Sequence, residues 1–276
     1  MPISIYSNIS SLDAQMHLGK TQMQLDSNMA RLASGLRVNR AVDDAAGLGI
    51  STMFHAQIRS YAQGERNAND GISLLQTAEG ALQQVHTILT RMRELAVQSA
   101  NGTYGAVDRA NIVAEVQQLQ AEIDRIANST RFGNVQMLHA AVDLTLQVGI
   151  HNTSADQISI SLIAADAASI GVDAAMVKVD TQADAQDALA KIDAAIGAIS
   201  AQRANIGALQ SRISMAHSND MAFRLNLSAA TSRIRDVDVA SETAEMARNN
   251  VLMQAGVAVL VQANQAPQAA LALLRG

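Results

Sequence analysis

The chain has 276 residues, 49% of them hydrophobic, a formal net charge of −5 and no cysteine. That apolar content excludes a wholly disordered polymer, and the missing cysteines exclude disulfides and cysteine-based metal or nucleophilic chemistry. The apolar side chains are Ala, Leu, Ile, Val and 12 Met, with no Trp and only three each of Phe and Tyr, a set suited to helix-on-helix packing rather than an aromatic-lined pocket.

The amino terminus, Met1 to Asn8, lacks the basic segment and apolar run of a secretory signal peptide. Leu12, Met16, Met23, Leu25, Met29 and Leu32 then form a loose helical stripe. Within it, Ala14 to Thr21 imitates a phosphate-binding loop, but Ala14 stands where the first glycine belongs and no apolar strand precedes it, so nucleotide binding is set aside. Asp43 and Asp44 are suited to cap the start of a long helix. From Phe54 an apolar stripe recurs every seven residues through Tyr61, Ala68, Leu75, Leu82, Leu89 and Ala96, and Ala78, Val85 and Met92 fill the alternating spacing. This is the seam of a coiled coil or long bundle helix, predicted from about Asp44 to Ser99 and stopped at Asn101-Gly102.

A second long helix is predicted over Val107 to Ala127, with Ile112, Val116, Leu119, Ile123 and Ile126 on one face. Leu144–Val148 and Ile158–Leu162 alternate with period two and read as a β-hairpin with a longish loop. Leu189, Ile192, Ile196, Ile199, Ile206, Gln210 and Ile213 predict a third long helix, in which Arg203 breaks the stripe and either snorkels or pairs. The stretch Val251 to Val261 is apolar on nearly every face, so its helix needs cover on all sides, and other subunits are the expected source. It falls well short of the roughly 20 apolar residues of a membrane span, and none is predicted.

Charge is uneven: between His139 and Ala190 stand seven Asp, no Glu and one Lys, an acidic middle expected to face solvent between nearly neutral arms. No basic patch with interleaved aromatics supports nucleic-acid binding. The six His are scattered without an H-E-x-x-H motif, the methionines at helical spacing read as packing, and no constellation supports an enzyme or a cofactor. Gly47, Gly49 and Gly71 lie in a helical pattern, where they read as points of close approach by a neighbouring helix or as tolerated substitutions.

Several long stretches resemble bacterial flagellins. They are Asp43 to Ser51, Arg66 to Ser73 continuing through Gln76 to Leu82, Arg93 to Thr103 and Glu122 to Ile126. At the far end, Asn226 to Ala230, Ser232 to Ile234 and Gln262 to Gln268 look like the family's carboxy-terminal pattern. The resemblance covers roughly residues 1–140 and 190–276. Hook–filament junction proteins share related helical ends, and the Asp43–Ser51 and Arg66–Leu82 matches favour flagellin over them.

The resemblance implies a mainly α protein, with long helices in a coiled-coil or bundle rod, a small β-hairpin, and terminal helices that pair in an assembled filament. Residues 1–43 with 236–276 would form an inner coiled-coil domain. Residues 44–139 with 190–235 would form a helical rod domain, and 140–189 a short variable region in place of larger outer domains. Leu12, Met16, Met23, Leu32, Leu252, Val257 and Leu260 are the expected assembly residues of the inner helices. The resemblance further implies unfolded export by the flagellar type III apparatus to an extracellular filament. The expected partners are copies of the same chain, an export chaperone, and cap and hook-junction proteins. Leu89, Arg91 and Glu122 resemble positions at which some flagellins contact a Toll-like receptor, although Thr90 departs from the glutamine often found there. Read by themselves, these residues are equally a solvated charge pair beside a core leucine.

Overall fold

The computed structural model describes the backbone of residues 7–275 and the side chains of residues 7–265. The chain divides into two compact units, residues 1–56 with 226–276 and residues 57–225. Five helices dominate: α1 (Ile9–Ser34), α2 (Ala45–Ser99), α3 (Ala106–Ser129), α4 (Gln182–Arg235) and α5 (Val239–Arg275). Two antiparallel hairpins lie between α3 and α4: β1 (Arg131–Phe132) with β2 (Val135–Gln136), and β3 (Val142–Gln147) with β4 (Gln157–Leu162).

Local chemistry sets the helix ends. Asn8 Oδ1 accepts from the Ser11 N–H at 3.1 Å to begin α1, and Gly35, at φ 71°, ends it by donating its N–H to the Arg31 carbonyl. Of the predicted Asp43-Asp44 pair, Asp44 caps α2, accepting from the Gly47 N–H at 2.8 Å. Asp43 instead ties the preceding turn by accepting from the N–H groups of Asn39 and Arg40, and these bonds, that of Arg40 first, hold its carboxyl below the usual range. Thr181 Oγ1 accepts from the Asp184 N–H to open α4, and Asp238 accepts from the Ala240 N–H to open α5.

The core of residues 57–225 is built on one face of α2. Gly64, Ala68, Gly71, Leu75, Ala78, Leu82, Val85, Leu89, Met92, Ala96 and Ser99 are all buried, an alternating three–four seam without a break. It contains the predicted stripe from Ala68 onward, whereas Phe54 and Tyr61 are only partly covered. In the same core are Ile112, Val116, Ile123 and Ile126 of α3, with Leu119 at the margin, and Ile192, Ile199, Ile206 and Ile213 of α4. Arg203 pairs with Glu79, Nε to Oε1 at 2.9 Å.

The β3–β4 hairpin has the predicted period and position, with Leu144 opposite Ile160 and Leu146 opposite Ile158. Ile158, Ile160 and Leu162 are buried while Ser159 and Ser161 face outward. The acidic middle differs from the expectation of simple exposure. Its carboxylates stay at least partly exposed, but Val148, Ala165, Ala167, Val172, Val177 and Val179 enter the core. Its irregular backbone is tied down by polar groups from the helices: Gln120 Nε2 donates to the Val172 and Val177 carbonyls, Ser99 Oγ to Val179 and Asp124 Oδ1 accepts from Ala167 N.

The three glycines divide between the two readings. A Cβ on Gly71 would lie 2.5 Å from Leu146 Cδ2, so the close neighbour there is a strand residue, not a helix. A Cβ on Gly47 would meet its own cap, Asp44, and then Ile234 of α4, while Gly49 faces open space.

Candidate assembly surface

Helices α1 and α5 pair within the unit formed by residues 1–56 and 226–276. The covered face of α1 runs through Ser11, Ala14, Leu18, Thr21, Leu25, Asn28 and Leu32, an alternation of three and four residues, with Arg31 also partly covered beside it. On α5 Glu242, Met246, Asn249, Met253, Gly256, Leu260 and Ala263 follow the same alternation, with Asn250 also partly covered beside them. A Cβ on Gly256 would come within 3.2 Å of Leu18 Cδ1, so the glycine admits a close approach.

This seam is unusually polar. Asn249 Nδ2 donates to Asn28 Oδ1 at 3.4 Å with both residues buried, and the Asn28 amide nitrogen has no partner of its own. Ser11 Oγ donates to Asn264 Oδ1 at 2.7 Å, and Asn8 Nδ2 to the Ala263 carbonyl at 2.8 Å. Arg31 Nη1 stands 3.7 Å from Glu242 Oε1. Buried polar pairs in a coiled-coil seam favour one register at a cost in stability relative to an apolar seam, so these contacts specify how α1 and α5 pair.

The apolar residues read from the sequence lie mainly elsewhere. Leu12, Met16 and Met23 are 61%, 65% and 67% exposed and follow Ile9 along the side of α1 away from α5. On α5, Leu252 and Val257 are about half exposed, with Val251, Val259 and Val261 further around the helix. Only Leu32 and Leu260 of the seven expected assembly residues join the internal seam. Ser11, Thr21 and Asn28 were invisible to an apolar-pattern search because they are polar.

The second set divides differently. Leu89 is completely buried in the core of residues 57–225, which removes it from any contact surface. Arg91 is exposed and paired with Glu115 at 2.8 Å and Glu94 at 3.1 Å; these bonds, Glu115 first, push its pKa further up. Glu122 is held by Arg125 at 2.7 Å, which keeps its carboxyl below the usual range. Thr90 bonds back to the His86 carbonyl. Among the described residues no group of His, Asp and Glu is arranged to hold a metal ion, and no helix is long and apolar enough to cross a membrane.

A terminal coiled coil with a polar seam and apolar side chains presented outward is the pattern of a helical, self-associating structural protein. Residues 5–143 match the bacterial flagellin N-terminal helical region, and residues 189–274 match the bacterial flagellin C-terminal helical region. The chain is 46% identical to a flagellin of Halalkalibacterium halodurans, over 98% of this chain and 99% of that one. It is 42% identical to the flagellar filament 33 kDa core protein of Treponema phagedenis, again over 98% and 99%. The crystal structure of Bacillus cereus flagellin aligns with 56% of this chain and 88% of its own at 32% identity and a TM-score of 0.49. The chain belongs to the bacterial flagellin family, whose members are structural and non-enzymatic, and it is a subunit of the flagellar filament.

Proposed function

We propose that the outward face of the α1–α5 pair is the surface through which this subunit polymerises, and that its burial against neighbouring copies drives filament growth. The observation that carries the reading is the row Ile9, Leu12, Met16 and Met23, exposed on α1 although a seam for intramolecular pairing runs along the same helix. Burying the exposed half or so of such a side chain contributes on the order of 1 kcal/mol. Four such residues on α1 and five on α5 therefore supply up to about 9 kcal/mol per subunit before association and ordering costs. A filament requires that this contact be heterologous, one part of the face meeting a different part on the next copy, with a rotation that does not close into a ring.

On this reading residues 1–43 with 236–276 form the inner coiled-coil domain, residues 44–139 with 190–235 the helical rod domain, and residues 140–189 a short variable region. Export through the flagellar type III apparatus with a dedicated chaperone, and contact with cap and hook-junction proteins, follow from family membership, as does an extracellular location. With Leu89 buried, a Toll-like receptor contact would rest on Arg91 and Glu122, both already engaged in ion pairs.

The test is seeded polymerisation of the full-length chain followed by electron microscopy. The wild-type chain is expected to give long uniform filaments. Met16→Asp with Met23→Asp is expected to give none while keeping the helical circular dichroism of the monomer. Filaments from the double variant at an unchanged critical concentration would overturn the reading. Removing residues after about Val239 should likewise abolish polymerisation and leave the unit of residues 57–225 folded.

A further inference from the structure

Asp220, on α4, is 6% exposed, and its Oδ2 has no hydrogen-bond partner. The cation placed one turn further along the same helix, Arg224, is committed elsewhere: its Nε is 2.9 Å from Glu65 Oε1 on α2. The groups that face Asp220 are Tyr61 and Glu65 from α2, Asp156 from the hairpin loop, and His217 from α4 itself. Two of the four are carboxylates, and His217 Nε2 lies 3.4 Å from the Asn69 amide nitrogen. Burial first, then Glu65 and Asp156 against the pull of His217, push the Asp220 carboxyl up to about 6. Burial, then Asp220 and Asp156, push the Tyr61 hydroxyl up as well.

The hairpin end is seated at the same spot. A Cβ on Gly64 would lie 2.1 Å from the Val148 carbonyl oxygen and 3.1 Å from Asp220 Oδ2, so a backbone acceptor and the unpartnered carboxyl oxygen share the space over one glycine. The loop beyond is closed by the Asp156 carbonyl, which accepts from the N–H groups of Val148 and Gly149 at 2.9 and 3.0 Å. A neutral carboxyl brings a donor to this site. An ionised one brings only acceptors beside a carbonyl and two further carboxylates.

We propose that Asp220 is a proton-operated latch for the end of the β3–β4 hairpin: neutral Asp220 holds residues 148–156 on α2 at Gly64, and ionised Asp220 releases them. The device is independent of the assembly reading, because every group in it belongs to residues 57–225 of one chain.

Hydrogen exchange of the full-length monomer between pH 4.5 and 8, expressed as protection factors, tests the latch. In the wild-type chain, protection at residues 147–157 should fall by about tenfold or more as pH rises through 6, roughly the effect of one pKa unit of coupling. Residues 112–126 should not change. Asp220→Asn should keep the loop protected at every pH, and Glu65→Gln should move the midpoint to lower pH. Loop protection that is flat with pH in the wild-type chain, or that falls equally in Asp220→Asn, would overturn the proposal. Should the variant fail to fold, the carboxyl carbon of Asp220 in the wild-type chain decides by nuclear magnetic resonance. A titration midpoint near 6 supports the latch and one below 4.5 refutes it.

Discussion

Replacing Gly64 with alanine sets two opposed effects against each other, and the structure decides which wins. In the interior of a helix, alanine is favoured over glycine by about 1 kcal/mol. Gly80 of α2 shows that gain alone, because a Cβ there would meet nothing within 4 Å; Gly80→Ala should stabilise by about 0.5–1 kcal/mol. At Gly64 the new methyl would stand 2.1 Å from the Val148 carbonyl oxygen, against roughly 3.3 Å for a close C···O contact. The obstacle is backbone, so the hairpin end must shift by about 1 Å, straining the bond from Asn67 Nδ2 to the Gln147 carbonyl at 2.9 Å. Overpacking costs about 1–3 kcal/mol and a weakened hydrogen bond about 1, so the net effect is a loss of about 1–3 kcal/mol. Thermal unfolding of the monomer followed by circular dichroism should show Gly80→Ala raising the midpoint by about 2–4 °C and Gly64→Ala lowering it by a similar amount or more. Gly71→Ala should fall between them, since its neighbour is the movable end of the Leu146 side chain. A Gly64→Ala chain as stable as Gly80→Ala would show that the hairpin is not seated on α2 as described.

Two further variants probe the core and its protonation. Leu89→Ala should cost about 2–5 kcal/mol in urea unfolding of the monomer, the range for emptying a buried leucine site; a cost below about 0.5 would return Leu89 to the surface. The Asp220 carboxyl titrates near 6 in the folded chain against 3.8 for the ordinary group, so the fold favours its neutral form. The penalty for ionisation is absent below about pH 4, grows through about 6 and is constant above, reaching on the order of 3 kcal/mol. Asp220→Asn should therefore be more stable than the wild-type chain at pH 8 and nearly equal to it at pH 4; an equal difference at both would refute the assignment.

Much of residues 57–225 was legible because its seam is written in apolar side chains. The spacing from Ala68 to Ala96 alone defines the buried face of α2, and the alternation in Leu144–Val148 and Ile158–Leu162 defines the hairpin. The pattern fades at Gly64 and Gly71, where the seam continues without side chains because the Val148 backbone and the Leu146 side chain lie against it. The β1–β2 hairpin was missed since two-residue strands carry no period; Gly133, at φ 58°, was its one available signal. The buried valines Val172, Val177 and Val179 have no regular period either, and their carbonyls depend on Gln120 and Ser99.

The terminal helices reverse the usual relation between apolar pattern and internal core. Their seam holds Ser11, Thr21, Asn28, Glu242 and Asn249, while Leu12, Met16, Met23 and Val257 point away from it. A chain selected for monomer stability would place the leucines and methionines inside, and exchanging the buried asparagines for leucine tests whether the polarity matters. Asn28→Leu with Asn249→Leu removes an amide nitrogen left without a partner and adds two apolar contacts, a change of about 2 kcal/mol or more in favour of the α1–α5 pair. The monomer should gain resistance to proteolysis in both terminal helices. It should also lose register, because the asparagine pair is the buried contact that a seven-residue slip would break. Filaments grown from it should accordingly be irregular in diameter or slow to elongate. Uniform filaments at the wild-type rate, from a monomer whose ends resist proteolysis, would show that the polar seam neither sets the register nor keeps the pair weak before assembly.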